Sequence, residues 1–228
     1  MDTNIPLHIG YIVDGNRRWA KLNGISKDVH RRGKDVVFDV AEKTFESGVK
    51  YASFYIFSTE NWKRSSEEVS YLMNLFVEAL RKESHRLIDN NIKLIFLGSR
   101  SGVDPKILAA MDDVESQTAN CTGGTICLCF NYGGYEEVAA ATAAIVASGV
   151  KSEDVTPELI TEHIYHPEIP PVDIVVRTGG ELRISNFMLW RVAYSEFLFI
   201  DKLWPDMTDQ DVTFVLEEYA KRSRRFGQ

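Results

Sequence analysis

The stretch that decides the fold is HIGYIVDGNRRWA, residues 8–20. Its first half is a short apolar run with β-branched residues and reads as a buried strand. It halts at Asp14, Gly15 and Asn16, residue types that tolerate the tight backbone where a strand hands over to a helix. In open α/β sheets ligands sit beyond the carboxyl ends of strands, where helix N-terminal amides favour anions. An acid, a flexible glycine and the pair Arg17 and Arg18 at such a place point to a phosphate site with a metal. A bare DGN would more often be an ordinary turn followed by solvated helix charges. The Arg-Arg-Trp that follows, and a basic cluster far downstream, favour the site.

Outward from this stretch the chain alternates. Residues 24–33 are short and polar, and Val36, Val37, Val40, Ala41 and Phe45 then repeat at helical spacing before Gly48. Residues 51–57, aromatic and β-branched, read as a second buried strand that runs into the polar segment 58–64. Ser65 and Glu68 have capping-box spacing, and Val69, Leu72, Met73, Phe76 and Leu80 give the next helix an apolar face wider than a core contact requires. Further strands are expected at 92–97, 125–130, 173–176 and 197–200. Helices are expected from Pro105, over 135–147, from Thr156-Pro157 and from about Thr208, the last closing on a basic end. Such alternation predicts a single α/β domain over 1–228, a mainly parallel six-stranded sheet flanked by helices on both faces.

Composition narrows the function classes. A chain of 228 residues, 44% hydrophobic and 26% charged, is an ordinary globular length and balance for one core. The net charge of −7 argues against a nucleic-acid binder, so an anion site must be built from local arginines against the overall field. Cys121, Cys127 and Cys129 are odd in number and lack CxxC spacing, which argues against a disulfide framework or zinc site and fits a reducing cytoplasm. No apolar run of about twenty residues is present, so membrane contact is expected only through the product.

Polar residues collect at three strand ends: 14–19, 58–64 and 177–185. In the third, Arg177, Arg183 and Ser185 surround Gly179 and Gly180, a good cradle for a diphosphate because guanidinium forks bind phosphate oxygens bidentately. Salt bridges from Arg177 and Arg183 to acids such as Glu181 are the plain alternative.

With the motifs H-x5-D-G-N-x-R-W-A, F-S-x-E-N-W-x-R, R-T-x-G-E-x-R-I-S-N-F, L-W-x-x-A-Y-x-E and a terminal R-x-G, in that order from His8 to Gly227, the chain resembles the cis-prenyltransferases, the undecaprenyl diphosphate synthase family. The resemblance implies a homodimer and a hydrophobic tunnel for a growing prenyl chain. It also implies a magnesium-dependent reaction: an allylic diphosphate ionises, the double bond of isopentenyl diphosphate attacks the allylic carbon, and a proton is lost to leave a cis unit. On this resemblance Asp14 is the catalytic acid and, with Glu196, the Mg2+ ligand. Gly15, Asn16, Arg18 and His30 hold the allylic diphosphate, with Arg17, Trp19 and Lys27 in the same substrate-binding set. Asn61 assists proton removal. Ser58, Thr59, Glu60, Trp62, Arg64 and Glu68 form the segment that closes over the substrates. Arg177, Arg183, Ile184 and Ser185 form the isopentenyl diphosphate site, and Arg225 and Gly227 belong to a tail that reaches the partner subunit. Ionisation leaves charge on a departing diphosphate, so arginines, backbone amides and the metal should stabilise the transition state most. DDxxD and GxxxxGK motifs are absent, which removes trans-prenyl synthases and P-loop enzymes.

Some positions depart from the family pattern. Arg17 stands where a small residue is usual, the loop after Gly24 is one residue short, Lys27 stands for an arginine and Gly179 for a serine. Because these lie around the allylic site, irregular head-to-middle coupling to a branched product is the runner-up to regular cis elongation. A non-catalytic partner subunit is a weaker third reading. Among single residues, Trp19 and Trp62 could be packing aromatics, and capping is taken as the principal role of Glu68.

Overall fold

A computed structural model describes residues 5–26 and 28–222. Its centre is β1 (His8–Ile12), in which all five residues are buried. Parallel strands flank β1 on both edges: β2 (Tyr51–Ser58) and β5 (Ile174–Arg177). With β3 (Ile92–Leu97), β4 (Gly124–Tyr132) and β6 (Glu196–Phe199) they make a six-stranded sheet in the order β3-β4-β2-β1-β5-β6, every pairing parallel. Burial on both faces explains the near-continuous apolar strands, since helices cover each side. The expected strands are all present. The main difference is that β4 runs two residues past its expected end, carrying Asn131 and Tyr132 into the sheet.

The helices are α1 (Asn16–Leu22), α2 (Arg31–Glu46), α3 (Ser66–Asp89), α4 (Pro105–Thr118), α5 (Gly134–Ala147), α6 (Pro157–His163) and α7 (Asp209–Ala220). Several start where side-chain chemistry says they should. Ser65 Oγ accepts from the Glu68 amide, Thr156 Oγ1 from Leu159 N, and Asp104 from Lys106 N. One boundary differs: the helix expected from the spacing of Val36 to Phe45, α2, already begins at Arg31, inside the segment read as a polar loop.

Two features of the core position the site. Trp204, fully buried, donates from Nε1 to the Gly33 carbonyl at 2.8 Å and packs beside Tyr11 and Phe54, locking the segment after β6 onto α2 and β1. On the same side of the sheet α3 lays Leu72, Met73 and Phe76 only partly buried over the strands, Phe76 stacking on Phe130 at 4.4 Å. The wide apolar face of α3 therefore covers a space as well as a core.

Chain direction explains where polar groups gather. β1 hands over to β2 on one side, and β5 and β6 extend the sheet on the other, so connections diverge around β1 and open a crevice at its carboxyl end. Among the described residues, no helix is long and apolar enough to cross a membrane.

Candidate active site

The crevice beyond β1, β2 and β5 holds a cleft with about 1780 Å3 of empty space, mouth included. It is lined by Asp14, Gly15, Asn16, Arg17, Arg18 and His30 from the β1 end, by Ser58, Glu60, Asn61 and Arg64 from the β2 end, and by Arg177, Arg183 and Ser185 from the β5 end. The three strand-end clusters thus meet in one place. Five arginines face three carboxylates, Asp14, Glu60 and Glu181, which makes the cleft locally cationic in a chain of net charge −7.

Asp14 is fixed by its backbone and its carboxylate together. Its carbonyl accepts from Thr178 Oγ1 at 2.7 Å and from Trp204 N at 3.0 Å. Its Oδ2 accepts from Arg177 Nη2 at 2.9 Å, and Arg18 Nη2 lies 3.5 Å from Oδ1. The turn depends on Gly15, whose φ of +115° lies in the left-handed region and whose added Cβ would meet Leu203 at 3.0 Å. Gly179, at φ +85°, leaves room for Arg18: a Cβ there would stand 2.4 Å from its Nη2. The glycine in place of serine is therefore matched to the way Arg18 reaches across to the Gly179 carbonyl at 2.7 Å.

Arg177, at the end of β5 with a side chain 4% exposed, is the organiser of the β5 side. Besides Asp14 it donates to Ser185 Oγ at 2.8 Å and to the Arg183 carbonyl at 2.5 Å. Ser185 and Asn186 both hold left-handed φ values, +51° and +65°, an uncommon pair for non-glycine residues that commonly marks a functional turn. Arg183 is ion-paired with Glu181 as Arg177 is with Asp14, and both arginines line the cleft.

Across the cleft, Asn61 Oδ1 accepts from Ser58 N at 3.1 Å, in a capping box that starts the 3-10 helix Thr59–Lys63. Glu68 binds Arg64 at 2.9 Å and Arg17, tying the first turn of α1 to the start of α3. Its amide is capped by Ser65, but its carboxylate is committed to the two arginines. Capping is therefore not its principal role. Burial, with the Arg64 charge beside it, pulls His30 down to about 4, so it is a neutral imidazole at pH 7. Its Nε2 and the Asn16 Oδ1 are buried without hydrogen-bond partners where the cleft narrows, as a site awaiting a polar ligand requires.

Adjoining the cleft, a second, apolar cavity with about 720 Å3 of empty space, its opening included, lies beneath α2 and α3. It shares Val13, Asn16, His30, Ile56 and Leu72 with the cleft and is walled by Val37, Phe38, Met73, Phe76, Leu80 and Phe130.

Several expected site residues are elsewhere. Trp19 turns its Nε1 to Asp206 at 2.7 Å, and Trp62 donates to Asn131 at 2.7 Å while packing edge-on to Phe57; neither lines the cleft. Thr59 does not line the cleft, and Ile184 packs into the core on the other face of the sheet. Glu196 cannot share an ion with Asp14 inside one chain: it stands level with Ile174, whereas Ile12, just before Asp14, stands level with Arg177, about 10 Å of strand away. Its carboxylate accepts from Arg222 at 2.9 Å. Lys27, Arg225 and Gly227 lie outside the described residues. Seven lining residues were not among the expected site residues: Ile12, Val13, Tyr55, Ile56, Leu72, Glu181 and Asn186. The signal for Asn186 was its place directly after Ser185; Tyr55 was hidden inside a strand.

Residues 12–227 match the prenyltransferase family of undecaprenyl diphosphate synthases. The chain belongs to this family. The isoprenyl transferase of Thermotoga maritima is 41% identical over 226 residues, covering 98% of this chain and 97% of that protein. The decaprenyl diphosphate synthase of Mycobacterium leprae is 43% identical over 228 residues, covering 98% and 77%. Among solved structures, lavandulyl diphosphate synthase from Lavandula x intermedia in complex with dimethylallyl diphosphate superposes with a TM-score of 0.92 at 29% identity, covering 98% of this chain and 99% of that one. The protein is thus a cis-prenyltransferase, and its cleft and apolar cavity are to be read as parts of such an enzyme.

Magnesium fits the residues present only with help from a substrate. Among the described residues no group of three or more histidines, cysteines or acids could hold an ion. Asp14 offers one carboxylate, a third exposed, at the floor of a cationic cleft. A single carboxylate completed by phosphate oxygens and water is a usual magnesium environment.

Proposed function

We propose that this cis-prenyltransferase condenses an allylic diphosphate with isopentenyl diphosphate, adding cis five-carbon units and needing Mg2+. The observation that carries the reading is the junction itself: an arginine-lined cleft opens through His30 and Asn16 into an apolar cavity. A diphosphate and its hydrocarbon tail need those two environments joined end to end.

In this reading the allylic diphosphate sits over Gly15, Asn16, Arg18 and His30 with its tail in the cavity, and isopentenyl diphosphate lies against Arg177, Arg183 and Ser185. The allylic C–O bond breaks and its electron pair leaves with the diphosphate. The isopentenyl double bond then closes on the allylic carbon, and a proton departs to water near Asn61. Arginines already fixed in place stabilise the leaving charge without having to reorganise. Asp14 would hold magnesium, which when bound would neutralise charge on the leaving group. Neutral His30 can donate one hydrogen bond to a phosphate oxygen without adding a charge.

A second reading draws on the likeness to lavandulyl diphosphate synthase, together with Arg17 and the short loop before His30: head-to-middle coupling of two dimethylallyl units. One experiment separates the two. Purified protein is incubated with magnesium and dimethylallyl diphosphate, with and without isopentenyl diphosphate, and the dephosphorylated product is taken to mass spectrometry and NMR. A linear cis-prenol that requires isopentenyl diphosphate is expected. A branched skeleton, or product from dimethylallyl diphosphate alone, overturns the main reading, and no diphosphate release with any primer from dimethylallyl to farnesyl diphosphate removes both.

A homodimer in a reducing cytoplasm belongs to the same proposal. It is supported by exposed Leu182 beside the cleft and by cysteines that are all free thiols, with Cys127 and Cys129 buried. Sedimentation of the purified chain tests the dimer.

A further inference from the structure

Ser185 and Asn186 occupy the middle of a tight turn closed by the Phe187 amide, which donates to the Ile184 carbonyl at 3.1 Å. Both middle residues have positive φ, +51° and +65°, the pattern of a type I′ turn, where asparagine is among the favoured residues. Apolar anchors flank them: Phe187 is fully buried and Ile184 packs against the core on the far face of the sheet. Ser185 Oγ accepts from Arg177, which also donates to the Arg183 carbonyl just before the turn. The partners of Asn186 lie elsewhere. Its Oδ1 accepts from the Tyr135 amide at 2.9 Å, and its carbonyl accepts from the Gly134 amide at 2.8 Å. Those are the first two amides of α5, a helix whose N-cap residue, Gly133, has no side chain to satisfy them. Asn186 therefore caps α5 from 51 residues away in the chain. Its Nδ2 lies 3.3 Å from Glu136 Oε2 and 3.5 Å from Glu60 Oε1, the latter in the 3-10 helix after β2.

We infer that Asn186 is a positioning residue for isopentenyl diphosphate: by capping α5 it holds Ser185, and with it the Arg177 guanidinium, in the geometry that receives the diphosphate. The inference rests on the reading of Arg177, Arg183 and Ser185 as the isopentenyl diphosphate cradle. Its physical basis is the backbone. Left-handed conformations of non-glycine residues cost free energy and persist only where the surroundings fix them. The bond from Phe187 to Ile184 closes the turn but leaves its tilt open. Two bonds from adjacent amides of one helix define both the position and the plane of Asn186, and α5 is anchored because it follows directly on β4. Ser185 is the next residue in the chain, so its hydroxyl cannot shift without drawing Asn186 off the helix start. A cradle already set when the ligand arrives loses no binding free energy to ordering Ser185 and Arg177. Asparagine meets both demands at once, since it tolerates positive φ and carries an acceptor for the helix amide. The allylic side is built on the end of β1 and should be indifferent to this cap.

The test is binding, read by titration calorimetry in magnesium buffer with isopentenyl diphosphate alone and with farnesyl diphosphate alone. Asn186→Gly keeps the freedom for positive φ and loses the side-chain cap. Tyr135→Pro deletes the amide hydrogen that Asn186 accepts while leaving Asn186 in place, and proline is tolerated in the first turn of a helix. Tyr135→Ala trims the exposed phenol, keeps the amide and serves as the control. The Kd for isopentenyl diphosphate should rise about tenfold in Asn186→Gly and about fivefold in Tyr135→Pro, and stay within about twofold in Tyr135→Ala. Farnesyl diphosphate should bind all three as it binds the wild type. Unchanged isopentenyl diphosphate binding in Tyr135→Pro would make Asn186 a direct contact or a bystander and overturns the inference. So does equal weakening of both diphosphates, the mark of a loosened fold, or equal weakening in Tyr135→Ala and Tyr135→Pro, which traces the effect to the phenol. An unchanged Asn186→Gly overturns it even if Tyr135→Pro fails to fold. Failure of the underlying reading shows separately, as absence of isopentenyl diphosphate binding by the wild type.

Discussion

Asp14 is shared between two demands, since the carboxylate proposed to meet the metal also neutralises a buried guanidinium. Substitutions should separate these. Asp14→Asn keeps an oxygen for Arg177 but loses the charge, so turnover should fall about a hundredfold or more while the melting temperature moves little. Asp14→Ala also strips Arg177 of its counter-ion and should cost about 1 to 2 kcal/mol of stability, moderated because Asp14 is a third exposed. Steady-state rates with thermal melts on both variants decide it. A near-normal rate in Asp14→Asn would take Asp14 out of the chemistry. The same residue scale shows what a motif can hide: Trp19 and Trp62 sit among site residues in the chain, yet each spends its indole N–H on a structural acceptor, Asp206 or Asn131.

At the scale of elements, the contact between the first turn of α1 and the start of α3 is an ionic clasp in which Glu68 holds Arg17 and Arg64. Both arginines line the cleft, so the carboxylate competes with any anion that comes to them. Glu68→Gln should leave the fold intact, with a stability loss below about 1 kcal/mol for so open a cluster. Removing the negative charge from the cleft should tighten binding of inorganic diphosphate about fivefold, the size of one charge at several ångströms in a partly wet site. Titration calorimetry at low salt checks this, and equal or weaker binding by the glutamine variant would refute it. The departure at Arg17 is thereby explained as half of a clasp, a role that no spacing within residues 8–20 could have disclosed.

For the molecule as a whole, acid is the condition to which the fold should be most sensitive. His8 is completely buried on β1, donating from Nδ1 to the Pro170 carbonyl and accepting at Nε2 from Ser53 Oγ, and burial lowers it to about 4. His30 is lowered to about 4 as well. Both are depressed below the ordinary value of 6.5, so the unfolded chain binds more protons than the folded one between pH 6.5 and 4. Stability should therefore be fully present above about pH 6.5 and fall as pH drops through that window, by on the order of 3 kcal/mol for His8. Guanidinium midpoints at pH 7 and 4.5 measure the slope. His8→Gln should be less stable at pH 7 and show a shallower fall, and an equally steep one would assign the acid response to other groups.

The sequence alone determined the alternation of strands and helices, because each strand is an apolar run stopped by turn residues and several helices carry their own cap: Ser65, Asp104-Pro105, Thr156-Pro157. It determined that three polar clusters follow strands, and in a parallel sheet that places Asp14, Asn61 and Arg177 at one end. What only the tertiary structure decided are relations across the chain that local patterns cannot encode. Glu196 belongs to the opposite end of the sheet from Asp14 because it opens β6, whereas Asp14 follows β1; strand direction, invisible in the motif L-W-x-x-A-Y-x-E, sets which end a residue occupies. The apolar face of α3 became a cavity wall, since its distance from the sheet is set by how Phe76 stacks on Phe130 and how Trp204 props α2. The cap that Asn186 places on α5 joins residues 51 apart in the chain, and a helix start is matched to so distant an acceptor only once both are folded.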